Sequence, residues 1–95
     1  MVTRIYGHEL RIQVLAALTT IPQVQRVNYL EYWNDQSYLI FLDPNDQAAQ
    51  QPVEAALKSV TQATEGARSS TISWRFYSMK DAVPSSATLY QRTTA

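Results

Sequence analysis

The chain has 95 residues, of which 45% are hydrophobic and 17% charged, proportions typical of a single folded domain. Eight basic and eight acidic residues cancel, and this balance argues against a dedicated duplex-DNA binder, which needs surplus Lys and Arg. The absence of cysteine excludes disulfides, thiolate nucleophiles and cysteine-ligated metal centres.

The first elements predicted along the chain are a short strand and a helix. Residues Val2 to Tyr6 favour a strand, and Gly7 permits a change of direction after it. From Glu9 onward apolar residues recur at helical spacing, which predicts an amphipathic helix. This helix should end before Pro22, because the residue that precedes a proline disfavours the α conformation.

A β-hairpin is predicted next, with strands at Val24 to Trp33 and Ser37 to Asp43. The link Asn34-Asp35-Gln36 joins them, and so short a link joins antiparallel neighbours. Asn45 or Asp46 then offers a cap for the second helix.

The register of the hairpin stays open, and a shift of one residue exchanges the two faces of the sheet. A two-residue turn at Asn34-Asp35 places on one face Val27, Tyr29, Glu31, Tyr38, Ile40 and Leu42. A three-residue turn ending at Gln36 places together on one face Tyr29, Glu31, Trp33, Leu39 and Phe41. In both registers large apolar side chains occupy both faces.

The second helix and a last strand complete the predicted elements. We expect a loose turn over residues 45–50 and the main helix from near Pro52, since proline is tolerated in a first turn. Gly66 is the expected helix stop. Thr71 to Met79 is predicted as a strand because apolar and polar residues alternate in it.

This order, β-α-β-β-α-β, predicts a ferredoxin-like α+β sandwich with two helices on one face of an antiparallel sheet. The segment from Leu18 to Val27 resembles the helix-to-strand corner of many such domains, in which Ile-Pro and two valines follow a leucine-ended helix. Metal-carrier domains of that fold bind metal through paired cysteines, and this chain has no cysteine. The resemblance therefore assigns no functional residue to this chain. We expect one domain over residues 1–79 and a polar tail over 80–95, in which Leu89-Tyr90 could add an edge strand to this molecule or to a partner.

No motif assigns a reaction, so we expect no catalytic residue, metal or cofactor. His8 is the only histidine, and a helix-start or surface role is favoured over a general base or metal ligand because no partner is spaced to act with it. Asp43, Asp46 and Glu54 match no calcium loop, and helix capping is favoured there. Two glycines are too few for a phosphate-binding loop.

The functional expectation is a binding domain that uses a ring-rich sheet face. Two helices cover only one face, and monomeric proteins rarely leave a large apolar patch in water. Its expected cover is a second copy of the chain, a protein partner, a small apolar ligand, a stacked base or the C-terminal tail, and a homodimer or a partner-binding module is favoured. The residues expected to make this surface, assigned with the three-residue turn, are Tyr29, Trp33, Phe41, Arg75 and Tyr77.

Two alternative functions stay open. Some ferredoxin-like proteins dimerise face to face and enclose a pocket, which suggests an enzyme by analogy of fold. RNA-recognition domains stack bases on sheet aromatics, but their basic-Gly-aromatic motif is absent from Ser37 to Leu42, so nucleic acid is disfavoured. We expect a cytoplasmic protein without a membrane segment, because the longest apolar runs have five residues and a bilayer needs about 20.

Overall fold

The computed structural model describes residues 4–93 as two helices and four strands in the order α1-β1-β2-α2-β3-β4. The elements are α1 (Gly7–Leu18), β1 (Val24–Tyr32), β2 (Asp35–Leu42), α2 (Gln47–Ala63), β3 (Thr71–Ser78) and β4 (Ala87–Gln91). The strands form one mixed sheet in the order β3-β2-β1-β4. Neither described helix is long and apolar enough to cross a membrane.

The core lies between the helices and one face of the sheet. Its buried residues are Val14 and Leu18 from α1, Val24 and Val27 from β1, Tyr38, Ile40 and Leu42 from β2, and Ala49, Val53 and Leu57 from α2. The apolar stripes of both helices therefore meet the same sheet face, as their helical spacing predicts. The opposite side of the sheet is called the open face below.

The predicted ferredoxin-like topology is wrong, beginning with its first strand. Residues 2 and 3 of that strand lie outside the described residues, and Ile5 makes one isolated parallel bridge, to Arg68. The Ile5 N–H donates to the carbonyl of Ala67 at 2.9 Å, so this segment is bonded to the turn after α2. The hairpin β1–β2 occupies the centre of the sheet instead, and β4 pairs with β1 at its free edge.

The predicted all-antiparallel sheet is also wrong, because β3 runs parallel to β2. Helix α2 returns the chain to the end at which β2 began, which is how parallel neighbours are joined. A polar cluster holds the register at that end: the Asp35 carboxylate accepts hydrogen bonds from Thr71 and Ser73, each at 2.7 Å. The hydroxyl oxygens of Ser37 and Ser73 lie 2.9 Å apart in the next row.

Helix α2 begins earlier than the sequence predicts. The Asp46 carboxylate accepts a hydrogen bond from the Ala49 N–H at 2.8 Å, which confirms the predicted cap. The helix then starts at Gln47, and the predicted start near Pro52 is wrong. Pro52 lies within the helix, has no N–H for the carbonyl of Ala48, and is exposed to solvent. A strong cap and a buried stripe outweigh this single defect.

The hairpin turn consists of two residues, Trp33 and Asn34, between the paired Tyr32 and Asp35. Trp33 has a φ of 52°, the positive value that primed two-residue turns need at their first position. The turn lies one residue earlier than Asn34-Asp35, yet it distributes the side chains over the faces as the two-residue alternative predicts. The three-residue register is not formed.

A buried polar pair connects α1 to β2. Gln36 is fully buried, and its Nε2 donates to the carbonyl of Gly7 at 3.2 Å. The hydroxyl of Tyr38 donates to the Oε1 of Gln36 at 2.7 Å. Burial raises the pKa of Tyr38, so the hydroxyl keeps its proton and remains a donor at neutral pH. The pair satisfies polar groups that would otherwise be buried without partners.

Candidate functional site on the open face

The chain itself covers part of the open face. Strands β3 and β4 lie at opposite edges of the sheet, and the helices occupy the other side. Residues 79–86, here the crossover segment, therefore pass over the open face. The segment crosses three strand spacings, about 14 Å, and also returns along the sheet from the level of Ser78 to that of Trp74, about another 14 Å. The direct distance is about 20 Å, and eight extended residues reach about 27 Å. The Nδ2 of Asn28 on β1 donates to the hydroxyl of Ser86 at 3.0 Å, which binds the end of the segment to the sheet.

The part of the open face around Phe41 is filled by protein side chains. Phe41 has no exposed surface, and its ring lies 5.6 Å from the ring of Tyr77. The guanidinium carbon of Arg26 lies 4.1 Å from the centroid of the Phe41 ring, a cation–π contact. The Nε of Arg26 is buried and has no hydrogen-bond partner among residues 4–93. The ring of Phe41 is thus not available to a ligand.

The rest of the open face forms a groove of about 450 Å³. This volume falls in the range of small-molecule sites, roughly 300–1,000 Å³. The groove combines apolar, aromatic and polar groups, and its lining residues from the open face and the crossover segment include Leu30, Tyr32, Asp35, Leu39, Arg75, Tyr77 and Pro84. We call it the open-face groove.

Asp35 lies at one end of the groove and is already hydrogen-bonded. Its carboxylate accepts from the hydroxyls of Ser37 at 2.8 Å and of Thr71 and Ser73 at 2.7 Å each. Burial alone would raise the pKa of Asp35, but the three hydroxyl donors outweigh it and hold the pKa below its usual 3.8. The carboxylate is ionised at neutral pH, and its lone pairs bind protein hydroxyls. It acts as a structural anchor between β2 and β3.

Arg75 is the cation of the groove. It is exposed, and it lies beside Leu39 in the register of β2 and β3. Among the residues that the structure describes, its guanidinium makes no hydrogen bond and no ion pair. A guanidinium has five N–H donors in a planar fork that matches a carboxylate or phosphate. Its position next to an apolar floor suits a ligand with an acidic group and an apolar body.

The five predicted surface residues do not form one surface. Phe41, Arg75 and Tyr77 share the open face, and of these only Arg75 and Tyr77 line the groove. Tyr29 lies on the helix-covered face, with its ring 5.4 Å from Tyr38. Trp33 is in the hairpin turn and is 97% exposed. The prediction that Tyr29 and Trp33 lie beside Phe41 requires the three-residue register, and the hairpin has a two-residue turn instead.

Several groove residues are absent from the predicted surface. The two-residue alternative places on one face Leu30, Tyr32 and Leu39. That alternative, and not the three-residue turn, therefore predicts these groove residues. The sequence predicts Asp35 in the turn, but it begins β2. Pro84 reaches the groove only because the crossover segment spans the sheet, and no local pattern indicates such a path.

His8 lies in the first turn of α1 and does not line the groove. Its ring is stacked on Tyr6 with centroids 6.3 Å apart, and its Nε2 lies 4.0 Å from the Glu9 carboxylate. Over residues 4–93, no three His, Asp or Glu side chains are grouped so that they could hold a metal ion.

Comparisons of the chain with protein-family models, with curated proteins and with solved structures found no match.

Proposed function

We propose that this domain is a binding module whose open-face groove takes a small organic acid with an apolar or aromatic body. The observation that supports this most is Arg75, a cation without a protein partner among the described residues, beside an apolar floor. An exposed arginine alone would be ordinary. Its place at the side of a groove of about 450 Å³ makes it a group that could orient a ligand.

The polar groups of the groove favour an anion over a cation. Within residues 4–93, Asp35 is the only carboxylate in the lining, and three hydroxyls already donate to its oxygens. Arg75 makes no hydrogen bond to any of the same residues, so its donors are open to a ligand. A ligand body would pack on Leu30 and Leu39 between the rings of Tyr32 and Tyr77, while its acidic group would meet the guanidinium.

The alternative functions have less support. Stacking of RNA bases needs several exposed rings with basic residues around them, but Phe41 is buried and net charge is zero. Catalysis would need a proton acceptor that is open to a substrate, but three protein hydroxyls already donate to the Asp35 carboxylate, and His8 lies outside the groove. A partner that covers the whole open face would have to displace the crossover segment.

Binding of matched fluorescent probes tests the proposal. 1-Anilinonaphthalene-8-sulfonate has an aromatic body and an anionic group, and N-phenyl-1-naphthylamine is its neutral counterpart. We expect the sulfonate to bind more tightly, by about fivefold, which corresponds to about 1 kcal/mol for an exposed charge pair. In a Trp33→Phe background Trp74 is the only tryptophan, so energy transfer from Trp74 to the dye reports binding to the folded domain, and the substitution of Arg75 below locates that binding.

Arg75→Gln should remove the preference for the sulfonate and leave the neutral dye bound. Lys58→Gln, on the exposed side of α2, removes the same charge away from the groove and should change nothing. Equal effects of the two substitutions, or an unchanged preference in Arg75→Gln, would contradict the proposal.

A further inference from the structure

Strand β3 is an edge of the sheet with no strand on its outer side among residues 4–93. The Thr71 N–H donates to the carbonyl of Asn34 at 2.7 Å, so the main chain of Thr71 points toward β2. Main-chain groups alternate along a strand. The N–H and C=O groups of Ile72, Trp74 and Phe76 therefore point outward, away from the sheet.

Both ends of this edge are already occupied. The Ser78 N–H donates to the carboxylate of Asp81 at 2.8 Å, and the Ser78 carbonyl accepts from the Asp81 N–H at 3.0 Å. At the other end, the carbonyl of Ser70 accepts from the Arg68 guanidinium at 2.6 Å. The open part of the edge is the stretch 72–76, with an N–H and a C=O on each of three residues. It contains no proline or lysine, two residues that commonly protect edges, and its one charged residue is Arg75, on the open face.

We propose that β3 pairs with β3 of a second copy of this chain, antiparallel about a twofold axis at Trp74. In this register Trp74 lies opposite Trp74 of the partner subunit, and Ile72 lies opposite Phe76 of the partner subunit. Each of these is a pair that exchanges two hydrogen bonds, so all the outward groups of both copies are used. An antiparallel pair about a twofold axis is closed and produces a dimer.

The side chains favour the same register. On the helix-covered face, aromatic and β-branched residues lie opposite one another, a stabilising cross-strand combination. On the open face, Ser73 lies opposite Arg75 of the partner subunit, so the one charged residue of the strand does not meet its own copy.

The neighbouring registers are worse. An axis at Arg75 puts the two guanidinium groups in directly opposed positions, with Cα atoms about 4.5 Å apart, and like charges so placed are destabilising. It also pairs Ile72 with Ser78, whose groups Asp81 already occupies. An axis at Ser73 pairs Phe76 with Ser70, whose carbonyl is also occupied. Only the axis at Trp74 uses every outward group.

Single cysteines can map this register, because the chain has no cysteine of its own. With the axis at Trp74, position 73 faces position 75 of the other copy at about 4.5 Å between Cα atoms, within reach of a disulfide. The two copies of position 73 are diagonal neighbours about 7–8 Å apart, as are the two copies of position 75, at or beyond the roughly 7 Å limit. Mixing Ser73→Cys protein with Arg75→Cys protein under mild oxidation should therefore give mainly the mixed disulfide dimer, identified by its intact mass. Ser59→Cys, exposed on α2, measures random cross-linking.

Light scattering on a size-exclusion column tests association without substitutions. At tens of micromolar we expect a mass about twice 10.8 kDa. A monomer would overturn the proposal. Cross-linking of Arg75→Cys with itself in preference to the mixture would overturn the register, and cross-linking no faster than Ser59→Cys would overturn the contact.

Discussion

Replacing Tyr38 by phenylalanine removes one hydroxyl from the core side of the sheet and leaves the ring in place. That hydroxyl donates to the Oε1 of Gln36 at 2.7 Å, and both residues are almost entirely inaccessible to water. Gln36 in turn donates to the carbonyl of Gly7 at the start of α1. The substitution therefore tests whether this polar pair stabilises the contact between α1 and β2.

The expected loss follows from burial. Tyr38→Phe leaves the Oε1 of Gln36 buried without a donor, which costs about 1–2 kcal/mol of the free energy of unfolding. No cavity is created, because the ring is retained, and no transfer cost for lost carbon atoms is added. In a domain of this size each kcal/mol shifts the melting temperature by about 4–8 °C, so a fall of about 4–16 °C is expected. Circular dichroism during heating and urea titration would measure both quantities.

Tyr77→Phe is the matched control. The Tyr77 hydroxyl makes no hydrogen bond within the described part of the chain, so its removal should change the free energy of unfolding by less than about 0.5 kcal/mol. Combining Tyr38→Phe with Gln36→Leu should cost less than the sum of the single substitutions, by about 1 kcal/mol. A Tyr38→Phe protein as stable as the unmodified chain would refute the reasoning.

Two further predictions concern α2 and the polar end of the groove. Pro52→Ala should raise the free energy of unfolding, measured by urea titration, by about 1–2 kcal/mol. The substitution restores an N–H that can donate to the carbonyl of Ala48. An unchanged free energy of unfolding would mean that the helix accommodates the proline without loss of stability. Asp35→Asn should lower stability by about 1 kcal/mol at pH 7. The pKa of Asp35 is lower in the folded chain than its usual 3.8, so this contribution is present above pH ~4 and is lost as pH falls through the folded pKa. A difference between the two proteins that does not shrink as pH falls below ~4 would contradict this assignment.

The local elements could be predicted because each depends on nearby residues. The helical spacing from Leu10 to Leu18 and the alternation from Thr71 to Ser78 both appear in the structure as α1 and β3. The cap at Asp46 follows from the side chain itself. The predicted helix start near Pro52 is wrong because an internal proline destabilises a helix by a few kcal/mol, which is less than the combined stabilisation from the Asp46 cap and the buried stripe.

The candidate site was less predictable because it depends on a single residue of hairpin register. Alternation specifies that residues 29 and 31 share a face, but the turn decides whether that face meets the helices. The two-residue turn requires a positive φ at Trp33. Bulky residues rarely adopt a positive φ, so the tryptophan gives no local signal for this turn. Tyr29 therefore lies on the helix-covered face, and Leu30 and Tyr32 line the groove.

By itself the sequence determined the two helices and the hairpin, because these depend on the spacing of residues along the chain. It also determined that large apolar side chains occupy both faces of the sheet. Tertiary structure decided the order of the strands, the parallel pairing of β3 with β2 and the path of residues 79–86 across the open face. Those features join residues far apart in the sequence, such as Asp35 with Thr71 and Asn28 with Ser86. Their choice depends on which combination of contacts buries the most apolar surface and satisfies the most polar groups, and no short stretch of the chain contains that information.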